Sequence, residues 1–250
     1  MKKPAPKPRS FPRPAGTGRN VLLKYFTAMH RHFGDQHWWP AESPFEVMIG
    51  AVLTQNTSWH GVELAIARLR AASAVNARAL YRLGPAEIAP LIRPAGYFNV
   101  KSRRLWNLTA WFVNSHQASF TALSRLPTPD LRAQLLAIHG IGPETADSIL
   151  LYALGRAVFV VDAYTRRLIS RHQLLPPAAD YRRMQQFMTA GLPESAALYN
   201  EFHAQIVQTG KHFCRPSPQC EHCPLRRFLP PAAAAGTLPA PRHQSGRRSA

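Results

Sequence analysis

Residues 135–147, Leu-Leu-Ala-Ile-His-Gly-Ile-Gly-Pro-Glu-Thr-Ala-Asp, read as the end of one helix, a Gly-x-Gly turn and a second helix opened by Pro143. Gly140 and Gly142 permit the positive φ of a tight reversal and leave backbone N–H groups uncovered, and the next helix N-terminus adds a partial positive charge. Such a turn suits a DNA phosphate. The spacing predicts a helix-hairpin-helix over 136–147, although a plain corner between helices with a glycine C-cap shares the local pattern. Downstream, Val158-Phe159-Val160-Val161 is an apolar run ending in Asp162, which opens a helical segment. Alone, Asp162 reads as an N-cap; its place about twenty residues beyond the hairpin weighs against that reading alone.

Upstream the periodicity is helical throughout. Val21, Leu22, Tyr25, Phe26, Met29 and Phe33 form one apolar face. Ser43-Pro44-Phe45-Glu46 reads as an N-cap, a proline at the first helical position and a capping-box glutamate, opening a buried helix that runs to Leu53. Breaks at Gly84-Pro85, Pro94 to Gly96, Pro127 to Pro129, Pro176-Pro177 and Gly191 to Pro193 separate segments of helical length. With no strand pattern and no long repeat, the prediction is an all-α fold of roughly ten helices.

The 250 residues carry 31 Lys and Arg against 13 Asp and Glu, a net charge of +18. Six of these basic groups lie in residues 1–19 and five in 226–250, proline- and alanine-rich stretches without an acid that read as disordered arms, at 1–19 and 229–250. Removing them leaves +7, so the folded part itself is expected to meet a polyanion. No run approaches the ~18 apolar residues of a membrane span. The N-terminus lacks the apolar stretch of an export signal. Three cysteines crowded between 214 and 223 suit metal chemistry in a reducing compartment better than disulfides. A monomeric cytoplasmic, nucleoid-associated protein without a membrane partner is expected.

The hairpin and the aspartate about twenty residues beyond it resemble the signature of the helix-hairpin-helix DNA glycosylase superfamily, to which endonuclease III belongs. The stretch Pro44 to Thr57 is similar to the first core helix of those enzymes and its DNA-facing end, and Ile92 to Ser102 resembles their turn opposite the lesion. The resemblance runs from about residue 21 to 225. It implies two helical domains flanking a DNA-binding cleft, one formed by 41–155 and the other by 20–40 with 156–228. It also implies double-stranded DNA with damaged bases as partner, Gln55 as void-filling residue, Tyr97 as wedge, and Gly140, Gly142 and Thr145 as DNA contacts.

Bifunctional members place a lysine directly before the threonine corresponding to Thr145, where this chain has Glu144. A carboxylate forms no imine, so the expectation is a monofunctional enzyme with water as nucleophile and Asp162 stabilising the sugar cation. Two alternatives stand beside it: a bifunctional glycosylase/AP lyase using Lys211, and a DNA-binding protein that has lost catalysis.

Trp38, Trp39, Pro40 and Trp59 resemble the 3-methyladenine branch of the group, as do Leu198 to His203 and Lys211. With Glu144 they form the expected base pocket. Indole faces attract the cation of an N-alkylated purine by roughly 0.5–2 kcal/mol, though each tryptophan alone also suits a core. Finally, Cys214, Cys220 and Cys223 resemble an iron–sulfur loop of the 4Fe-4S type whose fourth cysteine would fall near Leu229. Substitution by His203, His212 or His222, a zinc site, or a loop without metal all remain open.

Overall fold

The computed structural model describes residues 21–176 and 178–230. The arms expected at 1–19 and 229–250 lie outside them, except for Leu229 and Pro230. Among the described residues all regular elements are helical. The eleven α-helices are α1 Val21–Phe33, α2 Pro44–Leu53, α3 Trp59–Ala71, α4 Ala77–Leu91, α5 Phe98–His116, α6 Phe120–Arg125, α7 Thr128–Ala137, α8 Pro143–Ser148, α9 Ala163–Arg171, α10 Tyr181–Ala190 and α11 Ala196–His212. None is long and apolar enough to cross a membrane.

Contacts divide the chain into two compact units: Trp39–Val160, and the remainder up to Trp38 and from Val161. The division falls at 38/39 and 160/161, where the sequence reading places it at 40/41 and 155/156. Residues 156–160 stay with the first unit because Arg156 Nη2 donates to the carbonyls of Ser124 and Leu126 at 2.7 and 3.0 Å.

In the 39–160 unit, α2 is the central element. Nine of its ten residues are buried, and it packs against α3, α5, α8 and the π-helical turn Ile149–Ala153 that prolongs α8. Each Leu, Ile, Met or Phe so buried contributes roughly 1.5–3 kcal/mol. Ser43 caps α2 by accepting the Glu46 N–H at 3.2 Å. The Glu46 carboxylate, expected to turn back onto that cap, reaches Arg70 Nη2 at 2.9 Å instead, because a buried carboxylate needs a charged partner. Helix α4 is broken at Gly84, φ +72, where the sequence placed a break. The hairpin lies between α7 and α8: Gly140 takes φ +93, Gly142 caps α8, and Pro143 opens it. Asp147, fully buried, receives Arg132 Nε at 2.7 Å and Nη2 at 3.0 Å, a two-pronged clamp of α8 onto α7.

The other unit is built on α11, which packs against α1 and α9. Phe26 meets Phe202 edge-on at 5.5 Å. At Gly210 the bare backbone receives Tyr164 of α9, and a Cβ there would stand 2.1 Å from Tyr164 Cδ1.

Candidate active site

Asp162 follows the buried run Phe159, Val160, Val161 and caps α9 with extended backbone. Its Oδ1 accepts the Thr165 N–H at 2.7 Å. Its Oδ2 stands 3.6 Å from Nε2 of His203, a buried residue of α11. Burial pushes the Asp162 carboxyl pKa up, but His203 and the Thr165 hydrogen bond outweigh it and hold the group below the usual carboxylate range. The carboxylate is therefore ionised at neutral pH. His203, offered by sequence as a substitute ligand for the cysteine loop, has its Nε2 turned to Asp162 instead.

On the same helix the Lys211 ammonium lies 5.6 Å from the centre of the Trp38 ring, a cation–π contact. The Lys211 side chain is otherwise exposed near the end of α11.

Cys214, Cys220 and Cys223 line one small pocket together with Leu229. Arg171 spans it, with Nη1 3.3 Å from Cys214 Sγ and Nη2 donating to Pro216 O at 2.7 Å. His203, His212 and His222 are absent from its lining; the histidine there is His172. Three thiols cannot supply the four thiolates of a cubane, and Leu229, where the fourth cysteine was expected, offers no ligand atom. Among the described residues, His30, Asp35 and Glu201 also bring donor atoms within 4.8 Å of one another. His30 Nε2 and Asp35 Oδ1, however, hydrogen-bond at 2.8 Å, closer than the ~3.3 Å between two ligands of a tetrahedral zinc.

In the 39–160 unit, Gln55 joins three segments. Its Nε2 donates to Thr145 Oγ1 at 2.9 Å and to Gly140 O at 3.3 Å, and Arg104 Nη1 donates to its Oε1 at 2.5 Å. Arg104 also explains Gly140, since a Cβ there would lie 2.3 Å from Arg104 Cγ. Thr145 is buried behind Gln55, while Gly142 and Glu144 are exposed. Tyr97 is 73% exposed on a left-handed backbone at the start of α5.

Trp39 meets Trp59 edge-on at 5.3 Å and Tyr152 at 5.1 Å. Its indole rests on α2, where a Cβ on Gly50 would approach within 3.0 Å. Trp59 Nε1 donates to Glu63 at 2.8 Å, and Pro40 is exposed. Thus Trp39 and Trp59 meet within one unit, whereas Trp38 and Lys211 meet in the other. Sequence reasoning missed Tyr152 and Arg104. Only the Lys101/Arg104 spacing, one helical turn on a segment read as DNA-facing, could have signalled Arg104.

The model of the HhH-GPD superfamily base excision DNA repair proteins matches residues 49–194. The chain belongs to that superfamily. This HhH-GPD chain is a DNA glycosylase of the base excision repair type, and DNA is its partner. A Methanocaldococcus jannaschii protein bearing the name of a DNA repair glycosylase is 42% identical over 209 residues, 83% of this chain and 95% of that protein. The 3-methyladenine DNA glycosylase MagIII of H. pylori, solved with 1,N6-ethenoadenine, is 29% identical, with a TM-score of 0.65 covering 76% of this chain and 95% of that one. A trapped endonuclease III–DNA intermediate shares the fold at 21% identity, with a TM-score of 0.74 over 88% and 99% of the two chains.

Proposed function

We propose that this HhH-GPD chain is a monofunctional glycosylase that hydrolyses the N-glycosidic bond of alkylated purines in double-stranded DNA. The observation that carries the reading is Asp162: ionised, with one oxygen committed to capping α9 and the other facing His203. In the proposed reaction the base is extruded from the stack, and its glycosidic bond breaks with the electron pair going to the departing purine. A ring already cationic leaves as a neutral base without acid help. The Asp162 carboxylate stabilises the positive charge that develops on the sugar, and water adds at that carbon as its proton passes to the carboxylate and on to solvent.

Position 144 holds a carboxylate, so the hairpin supplies no imine-forming amine. Base selection falls to the indoles. Because Lys211 lies on the Trp38 ring, the reading assigns the cationic purine to the Trp39 and Trp59 pair. The likeness to MagIII, which bears the name of a 3-methyladenine DNA glycosylase, supports this substrate class. The proposed pocket also includes Pro40 and Glu144, and the proposed DNA contacts are Gln55, Tyr97, Gly140, Gly142 and Thr145. The test is release of free base from duplexes carrying 3-methyladenine, 1,N6-ethenoadenine, uracil or thymine glycol. Release confined to the neutral pyrimidines defeats the reading.

A further inference from the structure

Gln55 and Tyr97 stand on two turns of the 39–160 unit, and each turn contains a non-glycine residue in the left-handed region: Asn56 at φ +53 and Tyr97 itself at φ +46. Backbone of that kind persists only where neighbours over-determine it. The neighbour here is Lys101, in the first turn of α5 and 1% exposed. Its Nζ donates to Leu53 O and Ala95 O, each at 2.7 Å, and to Thr57 Oγ1. Thr57 Oγ1 donates onward to Ala95 O at 2.5 Å. The Lys101 backbone N–H donates to Tyr97 O at 2.9 Å. Leu53 and Thr57 flank Asn56, while Ala95 and Tyr97 belong to the other turn. The three N–H groups of one ammonium thus meet three oxygens drawn from both turns. The fit is close elsewhere too, since a Cβ on Gly61 of α3 would stand 2.6 Å from Pro94 O.

We propose that the Lys101 ammonium is a positioning group that holds the Gln55 turn and the Tyr97 turn in one register, so that the two side chains act on the duplex as a unit. This rests on the reading of both side chains as DNA-inserting. Burial, aided by the Arg104 charge one turn along α5, lowers the Lys101 pKa to about 8. The two turns carry Arg93 and Tyr97 as their own titratable side chains, and α3 carries the exposed His60 near its start. An opening of the two turns that frees Lys101 restores its ordinary pKa, so the open form takes up a proton that the closed form has released, and opening becomes harder as pH rises from 8 toward 10.5. The folded chain releases this proton before the unfolded chain does, so Lys101 itself adds to global stability over that interval.

The test is Lys101→Met, which keeps the aliphatic stem and removes the ammonium, read by amide hydrogen exchange and by base release. Exchange at residues 54–57 and 95–98 should accelerate together at least tenfold, with the rest of the unit unchanged. Base release from a fully paired lesion should fall at least tenfold further than release from a mismatched one. In wild type, protection of both turns, corrected for intrinsic exchange, should rise together between pH 8 and 10, and protection that is flat or rises in one turn only counts against the proposal. This pH series decides the matter if the variant does not fold. Acceleration in one turn only, in neither, or an equal loss on both substrates overturns the proposal. A wild type that releases no base from any duplex defeats the proposed function, while hydrogen exchange still decides the role of Lys101.

Discussion

Asp162 and His203 meet at 3.6 Å, Oδ2 to Nε2, while Asp162 Oδ1 accepts the Thr165 N–H at 2.7 Å. Helix capping and charge stabilisation are therefore compatible in one residue, because each uses a different oxygen. Asp162→Asn keeps a capping oxygen and removes the charge. Base release should fall by at least ~10²–10³-fold, with affinity for abasic-site duplex and thermal stability nearly unchanged. Asp162→Ala should lose about 1 kcal/mol of stability in addition. Retained turnover in the Asn variant would falsify the catalytic assignment.

Glu144 governs the second expectation. Borohydride should trap no covalent complex between the wild-type chain and lesion-bearing DNA, since a carboxylate gives no reducible imine. The amine to watch is Lys211, exposed beside Trp38. A trapped adduct that vanishes in Lys211→Ala would establish the bifunctional alternative.

Among the described residues Tyr97 is the most exposed of the large hydrophobic side chains. If it wedges the duplex, Tyr97→Ala should reduce excision from a paired lesion roughly tenfold or more, and from a mismatched or single-stranded one much less, because less unstacking is needed there. Equal losses on the two substrates count against the wedge.

Trp59 tests base selection. Wild type should release alkylated adenine much faster than thymine glycol, and Trp59→Ala should narrow that ratio several-fold, in keeping with a cation–π contribution of ~0.5–2 kcal/mol. An unchanged ratio, with a fall in melting temperature alone, would make Trp59 a packing residue for Trp39.

Local rules explain why so much of the fold was legible in the residues. The Ser43 cap and Pro44 start α2, the 140–143 turn starts α8, and Gly84 breaks α4, each through backbone preferences that act over a few positions. The all-α class follows from apolar periodicity, and the superfamily from the hairpin and Asp162 at their spacing. What sequence alone could not decide is which distant side chains meet. His203 stood open as a ligand for the cysteine loop, yet α11 packs on α9 with its Nε2 toward Asp162. Glu46 looked like a capping-box residue, but its burial makes Arg70 the stronger partner. Trp38 and Trp39 are neighbours in sequence and fall in different units, one meeting Lys211 and the other Trp59. Gln55 and Lys101 gather hydrogen-bond partners up to 90 residues apart in the chain. Caps, turns and periodicity are written within a few residues, whereas charge pairing and ring packing depend on burial and helix register. Those exist only once the chain has closed on itself.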